Sequence, residues 1–144
     1  MAEHIWESVT DLVFSGDLMA SCGGFDPRCV ITDLSSGHIL HVLMGTEYTH
    51  GCEFSPDGSK IIIACGYNVD TAYVYAVETG SLLYTFHAPE GRMITDIGFT
   101  EDGSLAVALL GDNSAVVGEL CQTLEELMEK AGFREIGGFL GRHN

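Results

Sequence analysis

Apolar residues fall in short runs along most of the chain, and turn-forming residues separate one run from the next. The clearest run, Ile-Ile-Ile-Ala-Cys at 61–65, lies between the Pro56-Asp57-Gly58 turn and the polar loop 66–70. A continuous apolar run bounded by turns is typical of a strand covered on both faces. Similar runs predict strands over residues 9–14, 18–22, 30–34, 39–43, 49–55, 61–65, 71–77, 82–86, 94–99, 105–110 and 115–120.

One of the turns recurs along the chain. Its clearest copy is Phe54-Ser55-Pro56-Asp57-Gly58, which returns as Phe-Thr-Glu-Asp-Gly at 99–103 and appears in shortened form as Phe14-Ser15-Gly16-Asp17. A second turn also repeats, as Ser36-Gly37 and Thr79-Gly80. Self-similarity at a period of roughly 40–45 residues is typical of a β-propeller, in which each repeat is one four-stranded blade.

The predicted fold is all-β: a partial propeller of about three four-stranded antiparallel blades, where closure usually takes roughly four to eight. The third repeat departs from the pattern after its third strand. A capping box at Thr123 and Glu126, followed by an apolar face and Gly132, predicts a short C-terminal α-helix over 123–131 in place of a fourth strand. The predicted division is therefore 1–120 for the blades and 121–144 for the helix and a Gly-rich tail.

These recurring turn motifs resemble those of WD-repeat proteins. The resemblance covers roughly residues 5–120 and is carried by the Phe-Ser-Pro-Asp-Gly turn at 54–58, its echoes at 14–17 and 99–103, and the Ser36-Gly37 and Thr79-Gly80 turns. It implies a propeller that serves as a rigid platform for contacts between proteins, usually without catalysis.

Charge and cysteine content narrow the choice of partners and compartment. The chain carries 21 acidic and 6 basic residues, a formal charge of −15, which opposes binding to nucleic acid and favours a less acidic protein over a second copy. The five cysteines form no paired motif, and three lie in apolar runs, as expected of thiols in a reducing compartment. We expect an intracellular, cytoplasmic protein that does not insert into membranes.

No motif for catalysis, a metal or a cofactor appears, so the expectation for each is none. Asp11 and Asp96 occupy matching places, three residues before Phe14 and Phe99. Such carboxylates around a propeller channel would bind a cation or a basic peptide, although solvated charges at strand ends explain them more simply.

The sequence therefore favours a non-catalytic interaction subunit. Three blades leave the outer faces of the first and third uncovered, and we expect another chain to complete or cap them, although the helix over 123–131 could cover the last blade by itself. The alternatives are a ligand-binding or enzymatic propeller whose site forms only on assembly, and a truncated remnant without autonomous function. The candidate partner-binding residues lie in a candidate donor strand before the first blade, on the predicted helix and in the tail: Ile5, Trp6, Leu124, Leu127, Met128, Phe139 and Leu140.

Overall fold

A computed structural model describes residues 9, 11–23, 26–103, 105–111, 114–117 and 120–123. This part of the chain is all-β and contains no helix. Its strands are β1 (Asp11–Ser15), β2 (Leu18–Gly23), β3 (Asp26–Asp33), β4 (His38–Met44), β5 (Thr49–Phe54), β6 (Lys60–Cys65), β7 (Thr71–Ala76), β8 (Leu82–His87), β9 (Ile94–Phe99), β10 (Ala106–Leu110), β11 (Ser114–Val117) and β12 (Leu120–Thr123).

The strands form three antiparallel sheets, and each sheet follows the chain order. The first sheet is β1-β2-β3-β4, the second is β5-β6-β7-β8, and the third is β9-β10-β11 with the short β12 beside β11. Every connection within a sheet joins neighbouring strands, as tight turns between antiparallel strands allow. The prediction of three consecutive antiparallel sheets is confirmed.

The third sheet differs from the prediction at its end. The sequence predicts one strand over 115–120 and no fourth strand, but β11 ends at Val117 and Leu120 pairs with it to begin β12. The physical reason is that pairing with β11, and not an apolar run of its own, defines β12. Of the helix predicted over 123–131, Thr123 is instead the last residue of β12, and residues 124–131 lie outside the described residues. The donor strand predicted at residues 4–7 also lies outside them.

Two apolar clusters join the sheets face to face. The first cluster packs Ala20, Ile31 and their neighbours in the first sheet against Phe54, Ile61 and Ile63 in the second. The second cluster packs Ile62, Ala64 and Val74, on the opposite face of the second sheet, against the third sheet. The second sheet is thus covered on both faces, which explains the continuous apolar run at 61–65.

The recurring turn has the same hydrogen bonds in its second and third copies. Gly58 N donates to Ser55 O and Gly103 N donates to Thr100 O, at 2.9 and 2.8 Å. In each copy the hydroxyl group that follows the phenylalanine also donates to the aspartate two residues later: Ser55 to Asp57, and Thr100 to Asp102. The second and third copies of the turn therefore share their conformation as well as their sequence pattern.

Gly58 is a glycine whose replacement this turn tolerates poorly. Its φ is +76°, and a Cβ there would lie 2.4 Å from Ser15 Oγ. Gly37 has nearly the same φ, +77°, but a Cβ there meets nothing within 4 Å. We expect Gly58→Ala to cost on the order of 1–3 kcal/mol of unfolding free energy and Gly37→Ala to fall at the low end of that range.

Urea unfolding at a fixed protein concentration measures the difference between these two variants. Adding Ser15→Ala to Gly58→Ala should recover the excess cost, because it removes the contacting hydroxyl. Equal costs for Gly58→Ala and Gly37→Ala would show that Ser15 moves aside freely and that the close approach has no energetic weight.

Candidate functional site

The seven residues predicted to bind a partner all lie outside the described residues. They are Ile5 and Trp6 before β1, and Leu124, Leu127, Met128, Phe139 and Leu140 after β12. The three sheets themselves supply the candidate surfaces, and the role of the seven residues stays a prediction.

The outer face of the first sheet, which points away from the second sheet, exposes large apolar side chains. Strand register places Leu12, Ser21, Val30 and Val42 in one row across this face, because directly opposed residues of antiparallel strands share a face. We call the exposed apolar members of the face the open-face residues: Leu12, Phe14, Val42 and Met44, which are each about half exposed or more.

Comparison of the repeats shows what Phe14 lacks. Phe54 occupies the same place in the second repeat and packs back into the cluster shared with the first sheet, where it is only 7% exposed. Phe99, in the third repeat, packs against the cluster shared with the second sheet. Phe14 has no preceding sheet among the described residues, and its ring is accordingly exposed.

The outer faces are less open than the sequence predicts. In the middle of the first sheet's outer face, Ser21, Val30 and Thr32 are each only 1% exposed within the single chain. On the outer face of the third sheet, Val107 and Leu109 are also buried. At these positions the outer faces are covered within the single chain, and uncovered apolar surface is found at the open-face residues of the first sheet.

The two matching aspartates, Asp11 and Asp96, line a common cavity of about 120 Å³ where β1, β5 and β9 approach one another. Asp11 Oδ2 accepts a hydrogen bond from Cys52 N at 3.2 Å, which ties the first sheet to the second. Asp96 Oδ1 accepts from Ile97 N at 2.9 Å. Both carboxylates therefore accept hydrogen bonds from backbone N–H groups, in accord with a structural role.

His50 also lines this cavity, and its Nε2 lies 2.7 Å from Gly66 O. Apolar residues from the second and third sheets, including Ala64 and Ile97, complete the wall. In the described part of the chain, no three His, Cys, Asp or Glu side chains come together in an arrangement that could hold a metal ion.

Three cysteines meet inside the first cluster. Cys22 lies opposite Cys29 in the register of β2 and β3, and Cys52 faces them from β5. Hydrogen bonding with Cys52 and burial raise the pKa of the Cys22 thiol far above its ordinary range, and burial raises the pKa of Cys65. A buried thiol with a raised pKa is a poor nucleophile, so Cys22 and Cys65 serve as core residues.

Sequence reasoning missed the open-face residues, although the signal is present. The repeat identifies Phe14 as the counterpart of Phe54 and Phe99, but identity of position says nothing about whether a neighbouring sheet exists to cover the ring.

No helix within the described residues is long and apolar enough to cross a membrane. Comparison of the sequence with protein-family models and with curated proteins gave no match.

Proposed function

We propose that this chain is a non-catalytic interaction subunit that contributes three blades to a β-propeller, and that a sheet from another protein chain packs against the open-face residues of its first blade. The observation that carries the proposal is Phe14. Its two counterparts each fill the space between consecutive sheets, whereas Phe14 is 61% exposed. A partner sheet would bury it as the first sheet buries Phe54.

The arrangement of the sheets supports blades of a propeller. The first strands approach one another, since β1 contacts β5 and β5 contacts β9. The fourth strands of the first two sheets, β4 and β8, are mostly exposed. A wedge of sheets with the first strand innermost and the fourth outermost is the geometry of neighbouring propeller blades.

Charge favours a different protein over a second copy. The formal charge is −15, so self-association would bring two strongly acidic surfaces together. Large exposed apolar side chains grouped on one face are typical of an interaction surface.

Leu12→Asp tests this proposal, with Leu82→Asp as the matched control. Leu12 is 50% exposed on the outer face of the first sheet, and Leu82 is 51% exposed on β8. Both variants add one charge at an equally exposed leucine, but only Leu12 belongs to the open-face residues. The measurement is the sedimentation of the tagged full chain in extracts of the cells that produce it.

We expect the unaltered chain and Leu82→Asp to sediment in a complex heavier than 15.5 kDa, and Leu12→Asp to shift toward the free chain. The carboxylate introduced by Leu12→Asp would be buried without a partner in the interface, and the free energy needed to remove its charge from water opposes association. The proposal fails if the unaltered chain sediments alone, or if the two variants behave alike.

A further inference from the structure

A groove of about 660 Å³ opens between the first and second sheets, at the ends where the β5–β6 and β7–β8 turns lie. Its size falls within the range of about 300–1,000 Å³ that is usual for ligand pockets. Leu18 and Leu40 line it from the first sheet, and Val77 lines it from the second. This surface is separate from the open-face residues, so a role for it goes beyond the proposed function.

Two carboxylates belong to the groove, Asp57 in the β5–β6 turn and Glu78 in the β7–β8 turn. Asp57 Oδ1 accepts hydrogen bonds from Ser59 N at 2.9 Å, Ser59 Oγ at 2.7 Å and Ser55 Oγ at 2.9 Å. These bonds hold the pKa of Asp57 well below its ordinary value, at about 2. The Asp57 carboxylate is therefore ionised at neutral pH, and the hydrogen bonds of the turn hold it in one position.

A contact between the two sheets shapes one wall of the groove. His41, on β4, lies with its Nε2 3.2 Å from Glu78 O, and its ring packs against the position of Gly80, where a Cβ would lie 2.9 Å from Nδ1. Leu40, the neighbour of His41, is about half exposed. The groove thus joins an accessible aliphatic surface to two carboxylates.

No lysine or arginine is among the described residues that line this groove. Elsewhere in the described part of the chain, Lys60 Nζ lies 3.4 Å from Gly103 O, and Arg92 Nη1 lies 3.3 Å from Ser114 Oγ. Among the described lining residues, the formally charged side chains are therefore the two carboxylates. An occupant that brings a positive charge gains electrostatic energy there, and an acidic one loses it.

We propose that this groove binds a basic segment of a protein partner, in which an arginine or lysine is flanked by aliphatic residues. The cationic head group lies between the Asp57 and Glu78 carboxylates. The aliphatic residues and the stem of the basic side chain cover Leu40 and the accessible part of Leu18, as long basic side chains commonly do on apolar surface. Arginine suits the site best, because its guanidinium can donate to two acceptors at once.

A peptide supplies the test, with the capped sequence Gly-Leu-Arg-Leu-Arg-Leu-Gly as the probe and its citrulline counterpart as the neutral control. Isothermal titration with the full chain at low ionic strength measures both. We expect the arginine peptide to bind at least about ten-fold more tightly than the citrulline peptide, and to lose affinity as salt is raised. Equal binding of the two would overturn the proposal in favour of a merely apolar groove, and no binding of the arginine peptide would overturn it outright.

Paired substitutions place the binding in the groove. Asp57→Asn with Glu78→Gln removes both carboxylates and keeps the acceptor oxygen that the turn uses. Asp70→Asn with Glu90→Gln makes the same change of net charge at exposed residues that lie outside the groove. We expect the first pair to weaken binding of the arginine peptide at least about ten-fold and the second pair to leave it nearly unchanged.

Thermal unfolding of both double variants checks that each is folded. Leu40→Ser, at a side chain already half exposed, gives a second probe of the same groove and should weaken the peptide as well. Equal affinities for the two double variants would contradict the proposal, because the attraction would then belong to the overall charge and not to the groove.

Discussion

Replacing Ile62 with alanine is expected to cost about 2–5 kcal/mol of unfolding free energy. Ile62 is fully buried and lies in the cluster that joins the second sheet to the third. Alanine would leave a cavity between two sheets whose backbones are held by their own hydrogen bonds and can close it only in part. Urea unfolding at a fixed protein concentration gives the value.

Ile39→Ala is the matched control, since Ile39 is 42% exposed on β4. The same chemical change there should alter the unfolding free energy by no more than about 0.5 kcal/mol. Similar costs for the two variants would mean that the face of the second sheet assigned to the second cluster is not buried, and the stacking of the three sheets would be wrong.

Phe54→Ala is expected to cost about 3–5 kcal/mol, and Phe14→Ala about 0.5 kcal/mol or less in the chain purified without a partner. The two residues hold the same place in consecutive repeats. Phe54 fills the space between the first and second sheets, whereas the Phe14 ring is mostly in water. Urea unfolding of both variants at one low protein concentration measures this contrast.

The contrast matters because it separates folding from assembly. If Phe14 serves a partner, its loss should leave the three sheets intact and reduce the mass of the complex found in extracts. A cost for Phe14→Ala close to that of Phe54→Ala would show that Phe14 is already buried within its own chain, and the open-face residues would lose their role.

Most of the fold was predictable because its signals are local. Turn residues such as Pro56-Asp57-Gly58 and the apolar run at 61–65 fix where strands begin and end, and the recurrence of the turn gives the order of the sheets. The predicted strand over 94–99 coincides with β9. Local signals of this kind need no knowledge of what lies across the sheet.

The remainder depended on contacts distant in sequence. β3 begins at Asp26, before a proline and an arginine, because Asp26 pairs with Gly23 and Arg28 with Met44. Nothing in that polar stretch indicates a strand. β12 was missed because the sequence at 120–123 is too short to show a period, and only its pairing with β11 defines it.

The sequence predicted an uncovered face on the first sheet, but it did not identify the residues of either candidate surface. The exposure of Phe14 depends on the absence of a preceding sheet in the described part of the chain, which no local pattern encodes. The groove takes Asp57 and Glu78 from two different turns and Leu40 from another sheet, so its residues meet only after the sheets have stacked.

Sedimentation equilibrium of the purified full chain, at micromolar concentration and moderate salt, decides whether the three sheets leave apolar surface that another chain must cover. If they do, the three sheets should stay folded, but the chain alone should associate into heavier or polydisperse material as its concentration rises. A single species of 15.5 kDa at every concentration would contradict the interaction-subunit proposal, because no apolar surface would then need a partner chain.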